Sequence, residues 1–452
     1  MYRLLIVVLL LMSNKAMCKE FAASMSVIPL EIAAPENTAG GMIAADVNDD
    51  GAYDLIVTAP GYVGAYATDG RRLWSKRVDI RVGGRAESEG LPGHHAPGIQ
   101  AGDINGDGET EVLFFDQKST LHVLRGDNGR ELWSIKLEPP KGARRWEHVV
   151  IANFRGKGDR DLLLQTTHGS ARHRLGKYLA AHTVRDLQMG KIAPLWQRDD
   201  FLPCGHSGVR VADLDGDGRD EVLGGTILAP DGRQLVALEV VGHIDSLFVA
   251  DIRPDLPGLE VVILEEGRRN RIFLVGPSGL IWETDHKGQE PQNAVIGRFL
   301  PGRTDMQIWC RSRYNEHQVP FVFDAFGRLH SEYRMDDVAP KGWTIRGVEV
   351  IHSIQWTGRK QWYAVAKERH KPGDVALFDP VTGRFLLYLP EQANRLYVAD
   401  VIGDRREEII VWSDDELHIY ANQQLNPRPD EPRLWTLPYY RRSKMTWNYY
   451  SP

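Results

Sequence analysis

Six of the chain's fifteen histidines, His94, His95, His148, His168, His206 and His243, fall at related places in a repeated pattern. Imidazole titrates near neutral pH, so such a group can move a proton or, as the neutral ring, ligate a metal. Three other stretches carry a different chemistry. Asp46, Asn48, Asp50 and Asp54 form the first, Asp103, Asn105, Asp107 and Glu111 the second, and Asp213, Asp215, Asp217 and Glu221 the third. Each sets oxygen donors at alternate positions of a tight turn, with a glycine (Gly51, Gly108, Gly218) to permit the bend and a later acid to close the cage. Oxygen-only donors suit calcium, which would act structurally by pinning one repeat unit. The bland alternative is an Asp/Asn-rich turn that satisfies its own backbone.

The repeat that positions these residues is itself informative. Weaker copies begin at Asn153, where Arg155 and Lys157 replace the acids, at Asp251, where Pro254 and Pro257 intervene, and at Asp400, which keeps Gly403, Asp404 and Glu408. Apolar segments at 294–309 and 348–365 stand where further copies are expected. About eight units result, roughly 40 to 60 residues apart, which is propeller-blade size. Each unit has a strand into the loop, a strand out, and a hairpin marked by turns such as Asp69-Gly70 and Asn128-Gly129. Glycine accepts the positive φ such turns need. The expected fold is all-β: a single β-propeller of eight four-stranded antiparallel blades, or seven if the weakest unit is not a blade. It would occupy residues 19–452, with a C-terminal closing segment.

Strand alternation suggests a working face. The residue before each loop is small (Ala45, Gly102, Ala152, Ala212, Ala250, Ala399), as crowding at a central axis would demand. Odd positions counted back from the loop are therefore expected to face the channel. They include Gln100, Arg210, Tyr397, His148, Arg395 and His206. The outgoing strands return to the same mouth and end at Asp116, His168, Glu265, Arg311, Lys367 and Asp414. His94, His95 and His243 lie in lead-in loops there, and Arg346, Lys367 and Arg395 add positive charge. Histidines converging on one mouth could also bind a divalent transition metal such as zinc. A single histidine at a strand end is, by contrast, usually a solvated surface residue.

The repeats resemble the FG-GAP type. The run Gly205-His206-Ser207-Gly208-Val209-Arg210 through Gly218, with Gly242-His243-Ile244-Asp245 and Pro257-Gly258-Leu259-Glu260 after it, resembles rhamnogalacturonan lyases, which are calcium-binding eight-bladed propellers. The tail Pro432-Arg433-Leu434-Trp435 to Trp447-Asn448 resembles their C-terminal segment. The related ulvan lyases use two histidines with a tyrosine and an arginine. The resemblance implies β-elimination on a uronic-acid polysaccharide. His148 and His168 would be acid/base or charge-neutralising groups, Arg210 or Arg395 would hold the uronate, and Tyr178 is the nearest tyrosine. His94, His95, His206, His243, Arg346 and Lys367 would line the substrate. The alternative is a non-catalytic FG-GAP propeller that serves as a carbohydrate- or protein-binding scaffold.

Composition narrows the setting. A net charge of −6 over 452 residues argues against a nucleic-acid partner. Arg3 followed by the apolar run 4–12 reads as an export signal, residues 1–18, too short to span a bilayer. A secreted or periplasmic monomer, with an acidic polysaccharide as partner and no transmembrane segment, is expected. Cys204 and Cys310 could pair there or be two separate buried thiols.

Overall fold

The computed structural model describes residues 21–35, 40–78, 80, 98–168, 175–204, 208–313, 316–369 and 372–446. The expected leader, His94, His95, His206 and the side chain of His168 lie outside the described residues.

The chain forms eight four-stranded antiparallel sheets, so the propeller has eight blades and not seven. The first strand of each blade lies innermost, next to the first strands of its neighbours. In ring order these strands are β2 (Gly41–Ala45), β6 (Ile99–Gly102), β10 (Ala143–Ala152), β14 (Arg210–Ala212), β18 (His243–Ala250), β22 (Pro291–Gly297), β26 (Val348–Ile354) and β30 (Arg395–Ala399). Blade eight is closed by β1 (Ala23–Pro29), which pairs with β32 (Glu416–Asn422) from Ala23↔Asn422 to Pro29↔Glu416. A hydrogen-bonded ladder thus joins the two ends of the ring.

The core is divided into layers between blades. Ile43 and Ala45 of β2 pack with Ile99, Ala101 and Val112 of blade two. Met42 and Ala44 of the same strand pack with Tyr397, Ala399 and Ile410 of blade eight. This corrects the expectation that odd positions face the channel. Blades stand edge-on to the axis, so a period of two sends side chains alternately to the two neighbouring blades.

Several of the residues expected to line the channel are accordingly clasps between blades. His148 Nε2 lies 3.2 Å from the Val209 carbonyl of blade four. Arg210 donates to Leu247 O of blade five at 2.6 Å. Arg395 donates to Gly40 O at 3.2 Å, at the start of blade one. His352 makes the same contact with Leu396 O of blade eight at 3.2 Å. The inner edge of a sheet leaves backbone groups without a ladder partner, and buried ones must be satisfied. These side chains do so while tying one blade to the next.

The all-β expectation omitted one feature. Helix α3 (Pro438–Thr446) packs on β2, β6, β14 and β18, inside the ring. Proline at the first helical position suits its start. Arg442 is buried between Asp159 and Asp220, with which it forms ion pairs, and the Tyr397 hydroxyl donates to Lys444 O at 3.2 Å. Asp159 and Asp220 belong to the acidic-loop ends of blades three and four. The helix therefore closes the channel at that end. Cys204 and Cys310 are separate buried thiols. Among the described residues, no helix is long and apolar enough to cross a membrane.

Candidate functional site

The acidic loops show which of their features serve folding. The closing acid accepts a backbone N–H from its own loop: Asp54 from Val47, Glu111 from Ile104 and Glu221 from Leu214. The degenerate loops keep this clamp, with Asp161 on Phe154, Glu260 on Ile252, Glu408 on Val401 and even neutral Gln307 on Phe299. The clamp thus recurs in blades one to six and eight. The carboxylate cage does not. Asp46, Asn48 and Asp50, Asp103, Asn105 and Asp107, and Asp213, Asp215 and Asp217 accept N–H groups within their own turns. Burial, with the neighbouring acids adding, raises Asp54, Glu111 and Glu221 each to about 7. In blade four one oxygen from each of Asp213, Asp215 and Glu221 lies within 4.8 Å of the others. In blade three the guanidinium of Arg155 sits against the closing acid, its Nε 2.7 Å from Asp161.

At the opposite mouth the structure assembles a charged cluster that sequence alternation did not find. β18 and β19 (Glu260–Glu266) pair with a register shift between Ile244 and Ser246, which makes Asp245 an extra, bulged residue. His243, Asp245 and Glu266 each offer a ligand atom, all within 4.8 Å of one another. His243 Nε2 is 3.2 Å from Glu266. Arg313 of blade six pairs with Glu266 and lies 3.1 Å from Glu290. Burial, then the Glu266 charge, pushes Asp245 well above the usual carboxylate range. Burial, with the hydrogen bond to Glu266, raises Glu290 to about 8. Three enclosed carboxyl groups here therefore repel one another.

The charges continue round the ring. Arg311 and Arg369 flank Glu349 of blade seven at 2.9 and 3.1 Å. Lys367, on β27 (Tyr363–Glu368), donates to Glu368 O at 3.0 Å. Burial lowers its ammonium to about 8, against the pull of Glu349. Glu265, expected at the mouth, instead binds Arg271 and the N–H groups of Val241 and Gly242. β19 carries no bulge, so alternation turns the next residue, Glu266, the other way, towards Arg313 of blade six.

The other expected residues fall apart from this cluster. Tyr178 lies on β12 (Leu175–Thr183), the third strand of blade three, and its hydroxyl donates to Lys141 O at 3.0 Å. Arg346 is exposed in the loop before β26. His168 ends β11 (Asp161–His168), paired with Ala143.

His148 gives a direct test of the clasp. Burial lowers it to about 4, so the ring is neutral at pH 7 and its Nε2–H can donate to Val209 O. The unfolded chain takes up that proton near pH 6.5, so stability is present above about 6.5 and is lost as pH falls towards 4. Its contribution is about 3 kcal/mol, from 1.36 kcal/mol per pKa unit. His148→Gln, which keeps a donor but does not titrate, is expected to flatten the fall of Tm across that window. An unchanged slope would mean that His148 is solvated.

An eight-bladed propeller with a charged mouth is the architecture defined so far, and the chain is homologous to rhamnogalacturonan lyases. Residues 121–320 match the family described as rhamnogalacturonan lyase family 11, C-terminal domain. That stretch holds His243, Asp245, Glu266, Glu290 and Arg313. The chain is 25% identical over 473 residues to rhamnogalacturonan endolyase YesW of Bacillus subtilis (strain 168), covering 88% of this chain and 69% of that one. It is 23% identical over 454 residues to rhamnogalacturonan exolyase YesX of the same organism, covering 84% and 70%. The crystal structure of YesX shares the fold, with a TM-score of 0.64 at 18% identity over 94% of this chain and 80% of that one.

Proposed function

We propose that the chain is an exported lyase that cleaves rhamnogalacturonan by β-elimination at the mouth of its channel. The observation that carries this reading is the cluster of His243, Asp245, Glu266, Glu290 and Arg313, which lies within the stretch that matches the lyase family. Such a reaction needs the uronate carboxylate neutralised, the C5 proton removed and the leaving oxygen protonated. Arg313, with its side chain a third exposed, is placed to meet the carboxylate. One imidazole and two carboxylates suit a divalent cation, and the oxygen majority favours a harder ion than an all-histidine zinc site would. Bound there, the cation would withdraw charge from the uronate and acidify its C5 proton. Lys367 is the proposed base, and a bound uronate must replace the Glu368 carbonyl as its partner. His168, whose strand ends at this mouth, is proposed to protonate the leaving oxygen. His148, held as a neutral clasp, takes no part.

Purified protein incubated with rhamnogalacturonan and divalent cation is expected to release unsaturated uronyl ends, seen as rising ultraviolet absorbance. Folded, cation-loaded protein that gives no rise overturns the reading.

The loops of blades one, two and four are proposed to hold calcium as structural pins. Each site adds about 2.7 kcal/mol of stability at a hundredfold excess of ion over Kd. Chelation is expected to lower Tm by several degrees, and Asp215→Asn to remove one equivalent of bound calcium. Equal Tm with and without calcium would refute the assignment.

A further inference from the structure

The outer side of blade three differs from the other blades. Between its third and fourth strands, β12 and β13 (Trp196–Arg198), the connection runs over residues 184–195, twelve residues. In blades two and four the same connection is five residues, 126–130 and 229–233. The longer segment contains helix α1 (Val184–Gln188), capped by Thr183, whose hydroxyl accepts from Asp186 N at 3.0 Å. The helix packs against β9 (Glu131–Lys136) of blade two. Beyond it, Met189, Ile192 and Leu195 remain exposed.

The end of the insert and the edges of blades two and three border a groove of about 650 Å³, which is ligand-sized. Trp146 and Tyr178 form aromatic wall, Ile192 contributes an apolar rim, and His182, Gln197 and Arg198 supply polar groups. The Tyr178 ring is fixed by its hydroxyl bond to Lys141 O. Arg198 is fixed by Asp200 at 2.7 Å and Gly232 O at 3.1 Å. His182 is 4% exposed, and its Nδ1 has no hydrogen-bond partner among the described residues. Burial lowers His182 to about 4, so the ring is neutral at pH 7 and carries one donor and one acceptor. The charged lining residues balance, Lys136 and Arg198 against Glu138 and Asp199.

We propose that this groove is a second saccharide-binding site, distinct from the mouth, which holds neutral sugar units of the polymer without cleaving them. A sugar ring matches the lining in kind. It offers hydroxyls that both give and take hydrogen bonds, for His182 and Gln197, and an apolar face for Tyr178 and Ile192. A 6-deoxyhexose, with its methyl group, fits best. A polyanion would need net positive charge, and an apolar peptide side chain would leave His182 Nδ1 buried without a partner. The proposal rests on the lyase reading only for the identity of the polymer.

The test uses full-length Asp245→Asn protein, which is not expected to cleave, titrated with short rhamnogalacturonan oligosaccharides. Binding is expected to survive in that background and to weaken about tenfold, or 1.4 kcal/mol, when Tyr178→Ala or His182→Phe is added. Ile192→Arg alters only an exposed rim residue, so it keeps the test valid if a buried substitution disturbs folding, and the same loss is expected. In otherwise wild-type protein these substitutions should raise KM on long polymer while leaving kcat on short oligosaccharides unchanged. Affinity that ignores all three groove substitutions, or no binding in the Asp245→Asn background, overturns the proposal. Absence of cleavage by the wild-type protein, with groove-dependent binding intact, would count against the lyase reading alone.

Discussion

Activity on rhamnogalacturonan is expected to fall by about two to three orders of magnitude when Asp245 is replaced by asparagine or Glu266 by glutamine. The amides match the carboxylates in shape, so packing in this buried corner should survive. What is lost is negative charge to hold a cation, and with it the means of neutralising a uronate. The same substitutions should not destabilise the fold. Asp245 is already pushed up by burial and by Glu266, and Glu290 is raised beside the same group. Removing one carboxyl relieves that repulsion, so Tm in cation-free buffer is expected to hold or rise. Calorimetric binding of a divalent cation at the mouth should disappear in parallel. Loss of activity with equal or greater stability separates a functional cluster from a structural one. Variants that keep activity within a few-fold would remove the cluster from the mechanism.

The blades were legible because glycine and aspartate recur at fixed offsets in loops whose backbone demands them. Gly51, Gly108 and Gly218 all adopt positive φ, and a turn that tolerates little else leaves a strong mark on sequence. The working residues left a weaker one. Period-two alternation separates two faces, but in a propeller both faces meet protein, so alternation assigns Arg210 and Arg395 to the channel although they reach neighbouring carbonyls. The bulge at Asp245 breaks the alternation of β18 and sets Asp245 with His243 beside Glu266, and no local pattern announces a bulge. Glu349 meets Arg311 across a separation of 38 residues and a blade boundary, a contact no repeat can encode. One signal was available: Asp245 stands two residues after His243 in a run already notable for its resemblance to rhamnogalacturonan lyases. Helix α3 was hidden for another reason. Its nine residues are rich in aromatic and basic side chains with no clear apolar stripe, because much of its surface is enclosed by the ring.

Lys367 makes the sharpest claim about the chemistry. A lysine serves as a base only as the free amine, and its ordinary pKa leaves almost none at neutral pH. Burial brings Lys367 to about 8, with Glu349 opposing the shift. If it removes the C5 proton, kcat/KM should rise with pH through about 8 and then level off, since the deprotonated fraction sets the rate. Lys367→Arg tests this with least disturbance, because it keeps a cation beside Glu349 and Glu368 but cannot lose its proton near neutrality. The expected loss is about 100- to 10,000-fold, the range for a general base, with little change in Tm. Lys367→Met removes the charge as well and should cost stability, since Glu349 then loses a positive neighbour. An arginine variant that retains wild-type rate would show that Lys367 only supports Glu349, and the base would have to be sought among the other groups of the mouth. Glu349→Gln provides the converse check. Removing the charge that raises Lys367 should move the rising limb of the profile to lower pH, a shift that a purely structural lysine would not produce.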